Sequence, residues 1–351
     1  MFLIKEISNY FVKDIGIDLG TANSLVYVKG RGIVINDPSI TAINNKTGQV
    51  VAIGEDARKM LGRTPSHISI IKPLVNGVIS DFEMTQEMLR HFFKRINGDR
   101  AFNYFRAVIG IPPNLTEVER KSVEDAVISA GAAKAYLIEE PIAAAIGARL
   151  PIKEAVATMI VDIGGGTIDI AVISMGGTVI SKSLKTAGDK FNEDIVKFIR
   201  DEFKLIIGEP TAEELKKTIG SAIPLNERLE MPIRGRGVSS GLPVEVIVKN
   251  NQIRAALNRS LHIIVDNIKE VLEQTPPELV GDILKRGIYI CGGGSLLKGI
   301  DQLIAKEVAV PVTVVDDPLT AVVRGTGVAA ENLDEYNHVF VTALKPLDIN
   351  T

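Results

Sequence analysis

One local pattern occurs twice in this chain. Residues 15–28 read IGIDLGTANSLVYV, and residues 161–173 read VDIGGGTIDIAVI. Each runs apolar strand, Asp, one residue, Gly, small polar turn, apolar strand, and the two aspartates, Asp18 and Asp162, stand 144 residues apart. A strand-turn-strand unit repeated at that distance asks for two similar halves. The length of 351 residues agrees, because a single core rarely grows past ~250–300 residues.

The physical chemistry of the turn suggests its use. An Asp leaving a strand ahead of Gly and small residues places a carboxylate beside exposed backbone N–H groups. Those groups hold phosphate oxygens, and glycine permits close approach. The carboxylate can hold a hydrated Mg²⁺ that neutralises the phosphates. A single glycine-rich hairpin is as readily just a hairpin. Two of them, one in each half, suggest opposing jaws around a long, highly charged ligand such as a nucleoside triphosphate.

Between and after the repeats, strands and helices alternate in two series, which is an α/β pattern. Residues 83–96 show apolar Met84, Met88, Phe92 and Ile96 at helical spacing, and FRAVIGIP (105–112) reads as a buried strand. Thr116 with Glu119 forms a capping box for a helix whose inner face is Val118, Val123, Ala126, Val127 and Ala130, ending at Gly131. AYLIEE (135–140) is a short strand, and Pro141 opens the next helix. In the second series, helices are expected over 192–206, 211–220 and 252–274, with a hairpin near 233–250. RGIYICGGGSLLKGIDQLIAKEV (286–308) is strand, glycine loop, helix, and 318–334 is helical. Arg234-Gly-Arg-Gly237 resembles a turn with two exposed charges.

Two further features invite a chemical reading. Gly292-Gly-Gly-Ser295 lies between a strand and a helix, where a helix N-terminus favours anionic groups; it also reads as a tight connection. Glu140, ahead of Pro141, sits at a strand end and a helix mouth. A carboxylate there can orient an attacking water, or simply complement the helix dipole. No Walker A loop and no G-x-G-x-x-G fingerprint is present. A net charge of −3 gives no basic field for nucleic acid, and the single cysteine, Cys291, rules out an internal disulfide. The histidines (His67, His91, His262, His338) are scattered without metal-ligand spacing. Neither a signal peptide nor an apolar run of ~20 residues is visible.

GIDLGTANSLVYVKGRGIVINDPS, GVISDF, LIEEPIAAAIG, VDIGGGTIDIAVIS, IGSA, TPPELVGDILKRGIYICGGGSLLKGID and DPLTAVVRGTG, together with LGRTP, resemble the MreB family of bacterial actin homologues, in order and over about residues 15–330. The resemblance implies an actin-like ATPase fold: two RNase H-like domains, each with an inserted subdomain, around a nucleotide cleft. Domain I is expected over 1–149 plus about 317–351, with an insertion at about 40–74. Domain II is expected over 150–316, with an insertion at about 190–250.

The same resemblance implies site roles. Asp18, Gly20, Thr21, Ala22 and Asn23 match the first phosphate loop, and Asp162, Gly164, Gly165, Gly166 and Thr167 the second. Asp18 and Asp162 match the Mg²⁺-side carboxylates, acting through water. Glu140 and Thr167 match the pair that positions the hydrolytic water. Gly292, Gly293, Gly294 and Ser295 match the adenosine loop, and Glu213 with Lys216 the pair near ribose and base. Asp169 departs from the family pattern, and either adds a carboxylate to the cleft or caps its turn; Cys291 stands where Thr is common.

The function implied is an ATP-binding, slowly hydrolysing cytoskeletal protein that forms head-to-tail filaments, with paired protofilaments as the family's arrangement, and organises cell-wall elongation and rod shape. Its expected place is the cytoplasm, peripheral at the inner face of the plasma membrane, with membrane-bound elongation proteins as partners. Two segments suit membrane contact: Met1–Asp14, with Leu3, Ile7, Tyr10 and Phe11 on one face beside Lys5 and Lys13, and the loop around Phe102 and Tyr104. Each also reads as packing on its own domain, Phe105 especially as the start of a buried strand. An Hsp70-type chaperone would need a substrate module after the ATPase core, and a small-molecule kinase a second-substrate pocket with its own base; neither is visible.

Overall fold

The structure, a computed structural model, describes residues 12–98 and 104–341. The first phosphate-turn strands are β1 (Val12–Leu19) and β2 (Asn23–Val28), followed by β3 (Gly32–Pro38), β4 (Tyr104–Ile111) and β5 (Ala132–Glu139). The second set is β6 (Thr158–Ile163), β7 (Ile168–Ser174), β8 (Gly177–Leu184), β9 (Ile288–Cys291) and β10 (Val312–Val314). The first sheet runs β5-β4-β1-β2-β3, with the short strand Phe340–Val341 added beyond β5; the second runs β10-β9-β6-β7-β8. In both, three antiparallel strands are followed by two parallel ones, so the halves share one topology.

Each sheet has its own apolar core. Ile15, Ile17, Leu89, Phe92 and Phe105 anchor the first; Met159, Val161, Phe191, Ile195 and Ile264 anchor the second. A third core joins the halves: Val108 and Ile138 from the first sheet meet Ile160, Ala171 and Cys291 from the second. Two helices lie within it, α1 (Glu140–Gly147) and α2 (Ala321–Glu331). They touch backbone to backbone. A Cβ at Gly147 would overlap Ala321 O, and one at Gly325 would overlap Ala143 O. The apolar, small-residue joint thus sits below the strand ends that carry the turns.

Each half also carries a small sheet. Thr41–Asn44, Val50–Ile53 and Ile68–Ile71 pair in the first, and Leu205–Ile206, Glu230–Gly237 and Pro243–Lys249 in the second. The second is flanked by α3 (Gly188–Phe203), α4 (Glu209–Ile219) and α5 (Asn250–Gln274).

Local departures from the sequence reading have simple causes. The Thr116 capping box forms, with Thr116 N donating to Glu119 Oε2 at 2.7 Å and Glu119 N to Thr116 Oγ1 at 3.3 Å. Val118, however, is 79 % exposed rather than inward. It lies about 140° around the helix from Val123, because five residues exceed one turn of 3.6. Arg234–Gly237 is not a turn but the end of a strand, with Arg234 opposite Glu245 in register and ion-paired to it. Phe105 is buried in the first core while Tyr104 is 58 % exposed. Phe102 and most of the N-terminal segment, including Leu3, Ile7, Tyr10 and Phe11, lie outside the described residues.

Candidate functional site

The two turns meet. Ser39 N donates to Ala22 O at 3.0 Å, and the Ser24 and Ser39 hydroxyls are 2.8 Å apart, so β3 clamps the Gly20-Thr21-Ala22-Asn23 turn from behind. Asn23 is tied by its side chain to Asn36 at 2.9 Å. In the second turn, Gly164 N donates to Thr167 O at 2.9 Å. Gly164 O and Gly165 O accept from Gly188 N at 3.1 Å and Asp189 N at 2.8 Å, which fixes the loop on the start of α3. Across the gap, a Cβ on Gly165 would stand 2.8 Å from Ala22 Cβ, and one on Gly166 would stand 2.8 Å from Thr21 Cβ. Only glycine lets the loops approach so closely.

Four carboxylates share the crevice between them. Asp18 comes from β1, Asp162 from β6, Asp169 from β7 and Glu140 from α1. Burial lifts Asp18 to about 7, although part of its surface stays open to the crevice. Burial, reinforced by the charges of Asp169 and Asp18, lifts Asp162 to about 8, against a hydrogen bond from Cys291. Burial lifts Asp169 to about 6 against hydrogen bonds that include Thr167 and Glu140. Glu140 is held well above its ordinary value: burial acts first, then the charges of Asp169, Asp18 and Asp162. Carboxylates from opposite halves therefore feel one another directly, as a shared cleft requires.

Glu140 is the first residue of α1, with Glu139 in the capping position, rather than the last of a strand. Gly110 on β4 leaves room for it, since a Cβ there would touch Glu140 Cγ at 3.4 Å. The adjacent Glu139 accepts a hydrogen bond from Thr178 of the second half at 2.8 Å.

Asp169 is no turn cap. It lies inside β7, paired in register with Asp162, and is buried, with Oδ1 lacking a hydrogen-bond partner among the described residues. The signal was available, because two residues along a strand return to the same face as Thr167. Cys291 is likewise more than filler, as it pairs in register with Asp162 and its thiol donates to that carboxylate.

The third glycine loop closes on the same strand end. Gly292 has φ of 77°, and a Cβ there would overlap Asp162 Oδ1. Ser295 is buried and its hydroxyl donates to Gly292 O at 2.7 Å. Gly294 packs against Ile163, whereas a Cβ at Gly293 would meet nothing nearer than Leu319 at 3.4 Å. Glu213 and Lys216 pair at 2.6 Å on α4, and Lys216 Nζ donates to Gly188 O at 3.0 Å. Although burial alone would raise it, Lys216 and its neighbours bring Glu213 down to about 2. That pair thus adjoins the second phosphate turn through Gly188.

A further contributor is the Asn76-Gly77 turn, which the sequence marks only by an Asn-Gly hairpin signal. Both residues have positive φ, 51° and 74°. Gly77 N donates to Thr21 Oγ1 at 3.1 Å, and a Cβ at Gly77 would stand 3.1 Å from Thr167 Cγ2.

Among the described residues no group of three or more His, Cys, Asp or Glu is arranged to grip a metal ion directly. The donor set nonetheless fits a hydrated divalent cation, because among the described residues no cation offsets the crowded carboxylates of Asp18, Asp162, Asp169 and Glu140.

Comparison with known proteins agrees with this geometry. The family model described as MreB/Mbl protein matches residues 12–338. The cell shape-determining protein Mbl of Bacillus subtilis (strain 168) is 50% identical over 325 residues, covering 93% of this chain and 98% of that protein. MreB5 of Spiroplasma citri, solved bound to ADP, superposes with a TM-score of 0.88 at 40% identity, covering 92% of this chain and 98% of that one. The MamK double helical filament superposes with a TM-score of 0.77 at 24% identity, covering 91% and 99%, and so shares the fold.

Proposed function

The chain belongs to the MreB/Mbl family, and from that premise we propose that it is a nucleotide-driven cytoskeletal protein that determines cell shape. It binds ATP and, after hydrolysis, ADP in the cleft, and assembles head to tail into filaments on the inner membrane surface. The observation that carries this reading is the apposition of the Thr21-Ala22 and Gly165-Gly166 backbones beside carboxylates from both halves. A bound triphosphate would be held from two sides by backbone N–H groups of Gly20–Asn23 and Gly164–Thr167. The adenosine would lie toward Gly292–Ser295 and the Glu213–Lys216 pair.

Domain I is assigned 1–149 with about 317–351, and domain II 150–316. The packing of α2 on β1 supports that division: a Cβ at Gly16 would overlap Gly327 N. The small insertions at about 40–74 and 190–250 then flank the cleft mouth.

Asp18 and Asp162 would hold Mg²⁺ through water, and that ion would neutralise phosphate oxygens. Glu140 and Thr167 would together position the attacking water. Asp169, hydrogen-bonded to Glu140, orients that carboxylate. With no covalent intermediate to form, catalysis consists of positioning and charge neutralisation, so turnover is slow and times the filament state. Membrane contact is assigned to Met1–Asp14 and the Phe102 loop, weak per subunit and multiplied along a filament. Elongation proteins of the membrane are the expected partners.

Light scattering and electron microscopy of the full chain with Mg-ATP test the reading. Nucleotide-dependent filaments are expected. Glu140→Ala should keep nucleotide binding and slow phosphate release by ~10²-fold or more; normal hydrolysis in that variant would remove Glu140 from its role. Failure of the wild type to bind ATP would refute the whole assignment. Leu3→Ser with Phe102→Ser should abolish flotation with anionic vesicles, and undiminished flotation would discard the membrane contacts.

A further inference from the structure

The two halves are joined differently at the two ends of the cleft. At the base, α1 and α2 lie in an apolar core shared by both sheets. Such packing has one close-fitting arrangement and does not open by degrees. At the mouth the contact is ionic. Lys72 follows directly on the strand Ile68–Ile71 of the first small sheet. Its ammonium stands 2.7 Å from Glu209 Oε1 and 3.7 Å from Asp189 Oδ2. Both acids belong to the second half: Glu209 opens α4, and Asp189 lies in the first turn of α3.

Asp189 is not an arbitrary partner. Its backbone N–H holds Gly165 O of the second phosphate turn. Four residues beyond Lys72 comes Asn76, whose Cα lies 3.0 Å from where a Gly166 Cβ would be, and then Gly77, which holds Thr21. Lys72 therefore fastens one end of a short segment whose other end touches both phosphate turns. The ion pairs are half-buried, the Lys72 side chain being 34 % exposed, so water and salt screen them incompletely.

We propose that Lys72 is a positioning residue that clasps the mouth of the cleft over bound nucleotide: its ion pairs to Asp189 and Glu209 hold the Asn76-Gly77 turn against both phosphate turns and thereby set the rate of nucleotide release. Without the ammonium, Asp189 and Glu209 repel each other, with Lys216 the one cation among the described residues still acting on Asp189, and the cleft relaxes open about its apolar base. The proposal rests on the nucleotide-site reading above, and its test separates the two.

Stopped-flow release of a fluorescent ATP analogue from the full chain with Mg²⁺ reads the clasp. Lys72→Met keeps the length and loses the charge, and should release roughly fivefold faster; Lys72→Arg should stay within about twofold of wild type. Lys72→Glu should be faster still, and pairing it with Glu209→Lys should recover a substantial part of the loss, which a merely structural role would not produce. A release rate for Lys72→Met equal to wild type overturns the proposal. Spin labels at Lys46→Cys and Ser240→Cys, exposed positions on the two small subdomains, measure the mouth without nucleotide. Their separation should widen in Lys72→Met; an unchanged separation also overturns it. Lack of nucleotide binding by the wild type would refute the function instead, and the label distance would still decide the clasp.

Discussion

Gly166→Ala tests whether the two phosphate turns truly face each other. The new methyl carbon would stand 2.8 Å from Thr21 Cβ and 3.0 Å from Asn76 Cα, and would overlap Thr21 Oγ1. Ordinary carbon contacts lie at ~3.5–4.0 Å, so the turns must part by about 1 Å. Gly166 does not have positive φ, so the backbone itself tolerates alanine. The obstructing atoms belong to the other half, and the strain is relieved by opening the cleft rather than by unfolding either core. Overpacking of this kind costs ~1–3 kcal/mol. Charged to the closed, nucleotide-holding state, that is a loss of about 5- to 150-fold in ATP affinity. Gly165→Ala meets a single methyl, Ala22 Cβ, at 2.8 Å, with Ala22 N at 3.3 Å, and should lose less. Equilibrium titration with a fluorescent ATP analogue ranks the variants, and calorimetry without nucleotide should find both midpoints near wild type. An affinity for Gly166→Ala within twofold of wild type would refute the reasoning, as would a loss of unliganded stability equal to the loss of affinity.

Stability without nucleotide should depend on pH in an unusual direction. Asp169, Asp18 and Asp162 have folded values near 6, 7 and 8, above the ~4 of an unfolded carboxyl. The fold keeps protons that the unfolded chain releases, so this contribution is fully present below about pH 4 and is lost as pH rises through 6 to 8. The melting midpoint of the nucleotide-free protein should fall as pH rises from about 4 to 8, less steeply in Asp162→Asn; a rise between about pH 6 and 8 contradicts the crowding. Thr116→Ala removes the capping box and should cost ~1 kcal/mol, seen as faster amide exchange in the first turn of Glu117–Ser129. Gly281 sits exposed within the helix Pro277–Arg286 with nothing near its missing side chain, so Gly281→Ala should raise the melting midpoint, by ~0.5–1 kcal/mol of stability.

The duplicated turns, the capping box at Thr116 and the strand and helix order were legible in the sequence because each depends on neighbours along the chain. Residue type and spacing are enough to mark an Asp-Gly turn between apolar strands, or an oxygen acceptor three residues before Glu119. Val118 shows where residue type without the helical period misleads, since a position five residues before Val123 lies about 140° around the helix from it and faces solvent.

What tertiary structure decided is which distant groups share a small volume. Asp169 could cap a turn or enter the cleft until the register of β6 and β7 set it opposite Asp162 and the shared core brought Glu140 beside it. Lys72 and Glu209 lie 137 positions apart, and nothing in either neighbourhood names the other. Alternation and capping are short-range effects written into adjacent residues. The electrostatics of a buried crevice depends on separations of a few ångströms between chain segments that meet only after both halves have folded.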